Sequence, residues 1–474
     1  MPEKPARRIY LLDPVQLSQE TIAVTFAKTS RSPLSFGEIA AELSQAKAAE
    51  FHEKWVVGYG HASVAEHAVV HIAVEDVSRL SIEAIESGRL ASYTEKSTRY
   101  QKWDPDSYHM PAELQDGTLR RRYQEACELL FRTYQQSLSA VKAVVQADVP
   151  REDGESEDRW DGRIRSRFVD VCRYLLPMSA LANVGITTNA RSLEHTLGKM
   201  LASPLQEVRG MGADLKRVAL EELPALLKHA EPSAYLEQTE AALRAMAARL
   251  PPASTDERLR LLAFDRDAER RVLAAALFAQ AGAPFTSIAE QVGSMTAQQQ
   301  AQLAAEALGR LGRFDIPLRE LEHAVYTFEA VLDQGAYFEL KRHRMMTQTP
   351  QRLTTSLGYA VPRLISVAGL EPTYREAMDR AADTFAALEA WNPAVAAYVV
   401  PNGFNRRVLM TLNLREVYHL CELRSAPNAH FSMRRLALQM AEQVRQVHPL
   451  LAGFMRLPAG ASSQSIVDSY FTQL

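Results

Sequence analysis

Residues 66–77 read EHAVVHIAVEDV, and residues 322–332 read EHAVYTFEAVL. In both stretches a Glu-His-Ala-Val head leads into alternating apolar and polar positions, the period-two pattern of a half-buried strand. Each run is followed after about twenty residues by an arginine heading a polar segment, Arg89 in the first and Arg344 in the second. A second pair is tighter. Pro177 precedes Asn189-x-Arg191-x-x-x-His195 by twelve residues, and Pro401 precedes Asn413-x-Arg415-x-x-x-His419 by the same twelve. An arginine and a histidine four apart share one face of a helix. Two ordered pairs, about 255 and then 224 residues apart, imply an internal duplication with a deletion late in the second copy.

The 474 residues exceed the reach of one core, so two domains are expected. The double proline and polar turn within AMAARLPPASTDERLRL, residues 246–262, break a helical pattern and place the boundary. The expected division is 1–250 and 251–474. Helical patterns cover about 35–54, 115–144, 206–228, 268–282, 373–389 and 428–445, and residues 104–117 read as a loop. Many helices with few strands give an α+β class, helices around a small, mainly antiparallel sheet. A net charge of -3 provides no cationic field for a nucleic-acid polymer. Cys127, Cys172 and Cys421 lie in no metal spacing, which argues for a reducing compartment and no metal. No apolar stretch follows the basic N-terminus and no long apolar run occurs elsewhere, so a cytoplasmic protein without a membrane segment is expected.

Two polar segments could hold an anion. Residues 85–103 combine Arg89, Ser92, Glu95, Ser97 and Arg99, and residues 341–352 hold Arg342, His343, Arg344 and Arg352. Guanidinium forks and hydroxyls suit a phosphate, but a solvated charged loop or basic patch has the same composition. Met345 and Met346 read as core fillers. His61, Ser63, Glu66 and His67 cluster at a strand start, where Ser63 and Glu66 also fit a helix cap. No phosphate loop, dinucleotide fingerprint, zinc-protease motif or nucleophile elbow is present. Composition and spacing therefore reach a duplicated α+β protein with arginine-rich anion sites.

The ordered segments GHASVAEHAVVHIAV, GRLASYTEKSTRY and NARSLEHTLGK, with LEHAVYTFEAVL, RHRMMTQTPQR, NLREVYHLCELR and AHFSMRR in the second copy, resemble the flavin-dependent thymidylate synthases. That family's signature is R-H-R-x-x-S-x-N-E-x-S-x-R-Y. The first copy keeps Arg89, Ser92, Glu95, Ser97, Arg99 and Tyr100, with Ser87 and Gly88 replacing Arg and His and Thr94 replacing Asn. It also keeps Arg173 but has Met200 at a late arginine position. The second copy restores Arg342, His343 and Arg344 and supplies Arg424, but has Pro350 for the glutamate and Ala397 opposite Arg173.

The resemblance implies a composite nucleotide site of Glu95, Ser97, Arg99 and Arg173 from copy one with Arg342 and Arg424 from copy two. Of these, Ser97, Arg99, Glu95, Arg342 and Arg424 would carry the catalytic role. The reciprocal site would be dead. Flavin contacts fall on His61, Ser63, Glu66, Arg89, Asn189, Arg191 and His195, and on His343, Arg344, Asn413, Arg415 and His419. The implied reaction is reductive methylation of dUMP to dTMP, with FAD as cofactor and methylenetetrahydrofolate and NADPH as co-substrates. A homodimer imitating the family's homotetramer is implied too. A catalytically silent flavin- or nucleotide-binding paralogue, or a structural partner of a true synthase, stays open.

Overall fold

The computed structural model describes residues 8–43, 45–52, 62–251 and 257–474. They form two compact units. The first comprises Met1–Ser97, Ser107–Arg120 and Ser179–Pro252; the second comprises Thr98–Asp106, Arg121–Met178 and Ala253–Leu474. A sequence copy and a compact unit are thus different sets of residues. The buried side chains of helix Gly117–Asp148, from Tyr123 onward, and all of helix Glu157–Cys172 belong to the second unit.

In the first unit, strands β1 (Val69–Ser78), β2 (Ala91–Glu95) and β3 (Leu181–Asn189) form an antiparallel sheet ordered β1-β3-β2. In the second, β4 (Leu259–Phe264), β5 (Val325–Asp333), β6 (Met346–Pro350) and β8 (Asn405–Asn413) are ordered β4-β5-β8-β6, and β7 (Val361–Pro362) pairs with β9 (Phe471–Gln473). The duplication is visible in the register. Val69 faces Asn189 as Val325 faces Asn413, and Ala91 faces Thr188 as Met346 faces Leu412. The EHAV heads of both copies therefore meet the N-x-R motifs at equivalent positions.

One residue breaks the correspondence. From Val69 to Ser78 the first strand advances nine residues while its partner advances eight, from Asn189 to Leu181. The extra residue forms a bulge between Val74 and Val77, where Asp76 takes φ 54°. The second copy, Val325–Asp333 against Asn413–Asn405, has no bulge. Past it the copies realign: Ser78 caps helix Arg79–Ile85, and Asp333 caps helix Gln334–Leu340.

Alternation along β5 sends Tyr326, Phe328, Ala330 and Leu332 into the core. There they join Val408, Met410 and Leu412 of β8 and Met433, Leu436 and Met440 of helix Phe431–Val447. Met346 is buried with them, but Met345 is 67% exposed, correcting its reading as core: consecutive residues at a strand start face opposite ways. The pattern at 35–54 divides into helices Phe36–Glu42 and Gln45–Phe51, because Leu43 takes an extended backbone. The pattern at 206–228 stops at Ala219, ahead of Pro224, which disfavours helix in the residue before it.

A carboxylate that caps a chain turn repeats as well, buried at Glu20 and half-buried at Glu269. Glu20 accepts the N–H groups of Ala225 and Leu226, and Glu269 accepts those of Leu450 and Leu451. Glu20→Ala leaves two buried donors without an acceptor and should cost about 1–3 kcal/mol, read from urea unfolding. An unchanged midpoint would show that water replaces the carboxylate.

Inside the second unit, equivalent segments of the two copies pair with each other. Met178 N–H donates to Val400 O and Asn402 N–H donates to Leu176 O, around the bridge Pro177–Pro401. This is the self-complementary pattern of a twofold contact, made within one chain. Among the described residues, no helix is long and apolar enough to cross a membrane.

Candidate functional site

Arginines from both copies meet in the second unit. Arg99 lies just beyond β2. Its Nε donates to Asp170 Oδ1 at 2.8 Å and its Nη2 to Asp170 Oδ2 at 2.8 Å, a fork on a carboxylate carried by helix Glu157–Cys172. Nη2 also donates to Asn428 O at 3.0 Å, and Nη1 stands 3.4 Å from Glu339 Oε1. Arg173 is one turn beyond Asp170, its Nε 3.7 Å from Oδ1. It donates to Thr98 Oγ1 at 3.0 Å and Gly335 O at 3.2 Å. Arg424, in helix Leu414–Ser425, donates through Nη1 to Glu339 Oε2 at 3.2 Å and through Nε to His343 Nε2 at 3.0 Å. His343 Nδ1 in turn meets Glu416 Oε1 at 2.8 Å. Asp170 thus joins Arg99 to Arg173, and Glu339 joins Arg99 to Arg424.

These arginines are not exposed, so they do not belong to a solvated charged loop or basic surface patch, the alternative that composition left open. Side-chain exposure is 17% for Arg99, 3% for Arg173 and 14% for Arg424. Each is drawn inward by a buried carboxylate or carbonyl. Burial penalises the Arg99 charge, but Asp170 and then Glu339 outweigh it and raise its pKa. At Arg424 burial prevails over the pull of Glu339, and with Arg342 and Arg99 nearby it lowers the pKa. Arg342 itself is exposed.

Two histidines beside this cluster are held neutral. Burial lowers the pKa of His343 against its hydrogen bond to Glu416. Burial, then Arg173 and Arg99, pushes His430 well below 6.5. An unfolded chain takes up these protons below pH about 6.5 while the folded chain does not. Stability is therefore fully present above that pH. It should fall by up to about 1.4 kcal/mol per pH unit for each histidine as pH drops toward the folded values. Urea unfolding at pH 7.5 and 5.5 measures this, and His430→Asn should flatten the dependence.

Of the proposed flavin contacts, His343 belongs to this cluster and packs on His419 with ring centroids 5.3 Å apart. Asn189 and Asn413 cap their helices through Oδ1, accepting from Ser192 N and Glu416 N. Arg191 pairs with Glu66, and Arg415 pairs with Glu322 at 2.8 Å while donating to Pro317 O at 3.0 Å. Asn413, Arg415, His419 and the exposed Met345 line a cleft of about 300 Å³. In the first unit Ser63 and His67 line a cleft of about 510 Å³ with Phe26, Lys28 and Arg31. Ser63 lies inside the turn Ala62–His67 instead of capping it, and Glu66 is spent on Arg191. Arg89, His195 and Arg344 are exposed, and His61 falls outside the described residues.

Glu95 and Ser97 belong to the first unit, where Glu95 forms a buried pair with Arg79 at 2.9 Å. Of the reciprocal positions, Ser87 is exposed, Met200 is buried in the first unit's core, and Pro350 ends β6. Sequence reading missed Asp170, Glu339 and Glu416. Two of them carried a faint signal: Asp170 stands three residues before Arg173, and Glu339 three before Arg342.

Comparison with known proteins agrees with the duplication. The family described as thymidylate synthase complementing protein matches residues 11–225 and again 260–450. A UPF0159 protein of Chlamydia muridarum is 30% identical over 433 residues, covering 88% of this chain and 82% of its own. A UPF0159 protein of Thermoplasma acidophilum is 28% identical over 456 residues, covering 88% and 90%. A flavin-dependent thymidylate synthase of Clostridium tetani is 27% identical over 217 residues, covering 45% of this chain and 83% of its own. The chain therefore belongs to the thymidylate synthase complementing, flavin-dependent thymidylate synthase family and carries that family's domain twice.

Proposed function

We propose that the protein catalyses FAD-dependent reductive methylation of dUMP to dTMP, with methylenetetrahydrofolate and NADPH as co-substrates. The general reaction type follows from the family. The observation supporting a working site is the convergence of Arg99 and Arg173 with Arg424, three arginines that come from different copies. Guanidinium groups around a pyrimidine nucleotide would bind its phosphate and polarise its carbonyls as the ring takes up hydride. Arg415 and His419, with Asn413, offer a donor set that fits a flavin bearing phosphates, although Arg415 must share its charge with Glu322. The flavin supplies the hydride chemistry when bound; the chain's own residues bind and orient. Two chains would supply four family domains, and a homodimer of the 52.9 kDa chain is the assembly proposed.

One observation favours a second reading, a catalytically silent flavin- or nucleotide-binding protein. Arg99, Arg173 and Arg424 each already hold a carboxylate or carbonyl of the chain. The test separates the two. Purified protein should absorb in the visible through bound oxidised flavin, and dUMP with methylenetetrahydrofolate should reoxidise the reduced flavin. Bound flavin that dUMP and folate leave reduced would support the silent reading, and a colourless protein would overturn flavin binding.

A further inference from the structure

Arg424 offers five N–H donors, and three are engaged inside the protein: Nε with His343, Nη1 with the Glu339 carboxylate and Nη2 with the Glu339 carbonyl at 3.4 Å. The two contacts on Glu339 fix one edge of the guanidinium plane, and His343 fixes the other. His343 accepts only if its Nε2 carries no proton. Its single hydrogen must then sit on Nδ1, donated to Glu416 Oε1 at 2.8 Å. His343 is 3% exposed and the Glu416 side chain 6%, so water does not compete for either bond. A carboxylate behind an imidazole sets which nitrogen is the acceptor.

We infer that His343 and Glu416 are positioning residues for Arg424. They hold its guanidinium so that the two remaining donors face the nucleotide. This rests on the proposed nucleotide site. It gives His343, which the family resemblance placed among the flavin contacts, a role toward Arg424 as well: the ring packs on His419 with centroids 5.3 Å apart and also reaches the arginine cluster. Glu416 carries the arrangement back to the start of helix Leu414–Ser425, where its own N–H is fixed by the Asn413 cap. The orientation of Arg424 is thereby tied to a helix terminus, not to a mobile side chain.

The test is titration calorimetry of dUMP into the full chain, with thermal unfolding measured in parallel. His343→Leu keeps bulk but removes acceptor and donor, and should weaken dUMP by about tenfold or more. His343→Gln can accept from Arg424 through its carbonyl and donate to Glu416 through its amide, and should stay within about threefold of wild type. A purely structural histidine would lower the unfolding temperature in both variants without this split in affinity. If His343→Leu fails to fold, Glu416→Met should give the same loss of about tenfold, since it frees the imidazole to change tautomer. Unchanged affinity in the folded variants, or equal loss in the leucine and glutamine forms, overturns the inference. Wild type that binds no dUMP overturns the proposed function instead.

Discussion

Arg173→Met should lower the stability of the folded chain by about 3–5 kcal/mol, a larger effect than any surface arginine produces. Arg173 is 2% exposed. Its guanidinium donates to the Thr98 hydroxyl at 3.0 Å and the Gly335 carbonyl at 3.2 Å, and its Nε faces Asp170 at 3.7 Å. Methionine fills much of the same volume but returns none of those donors. Asp170 would then rely on Arg99 alone, and the Gly335 carbonyl would lose a buried donor. The approach at Gly335 is close: a Cβ there would stand 3.6 Å from Arg173 Nη2 and 3.1 Å from Asp333 Oδ1. Lysine should rescue only part of the loss, because a single ammonium cannot fork to three acceptors on different elements. Urea unfolding of the two variants measures this. A loss below about 1 kcal/mol in the methionine form would show that the cluster relaxes around the missing charge.

That stability role was not legible in the sequence, and the reason is physical. A motif names residue types, not what lies across from them. The register of the sheets could be read, since EHAV and N-x-R recur in order and the pairing Val69–Asn189 repeats as Val325–Asn413. Strands alternate with period two, so their pattern survives divergence. The bulge at Asp76 could not be read, although it accounts for the single-residue slip between copies. Nor could the removal of helix Glu157–Cys172 from its own copy's unit, which depends on long-range packing that local pattern does not encode. Arg99 and Arg424 gave no sign of their partners, because Asp170 lies 71 residues from Arg99 and Glu339 lies 85 residues from Arg424.

Arg342 is the position where binding and stability should separate most cleanly. It is exposed, and its charge is felt at Arg424, which places it beside the composite cluster without being built into the core. Arg342→Ala should weaken dUMP binding by about 30-fold or more, corresponding to roughly 2–5 kcal/mol for losing a charge-assisted contact to phosphate or carbonyl. Unfolding should shift by no more than about 0.5 kcal/mol, as for other surface substitutions. Arg99→Ala should weaken binding as much, yet also destabilise, because Asp170 and Glu339 are left sharing a buried site with one cation fewer. The number of sites follows from the same asymmetry. Equivalent positions in the reciprocal set are Ser87, Met200, Pro350 and Ala397, none able to donate a guanidinium, and Met200 fills core space. Met200→Ala should therefore cost stability by leaving a cavity while leaving nucleotide affinity unchanged. Calorimetry on wild type should give one dUMP per chain. Two per chain, or an Arg342→Ala variant that binds as tightly as wild type, would mean that the nucleotide is held by some set of groups other than the arginines gathered around Glu339.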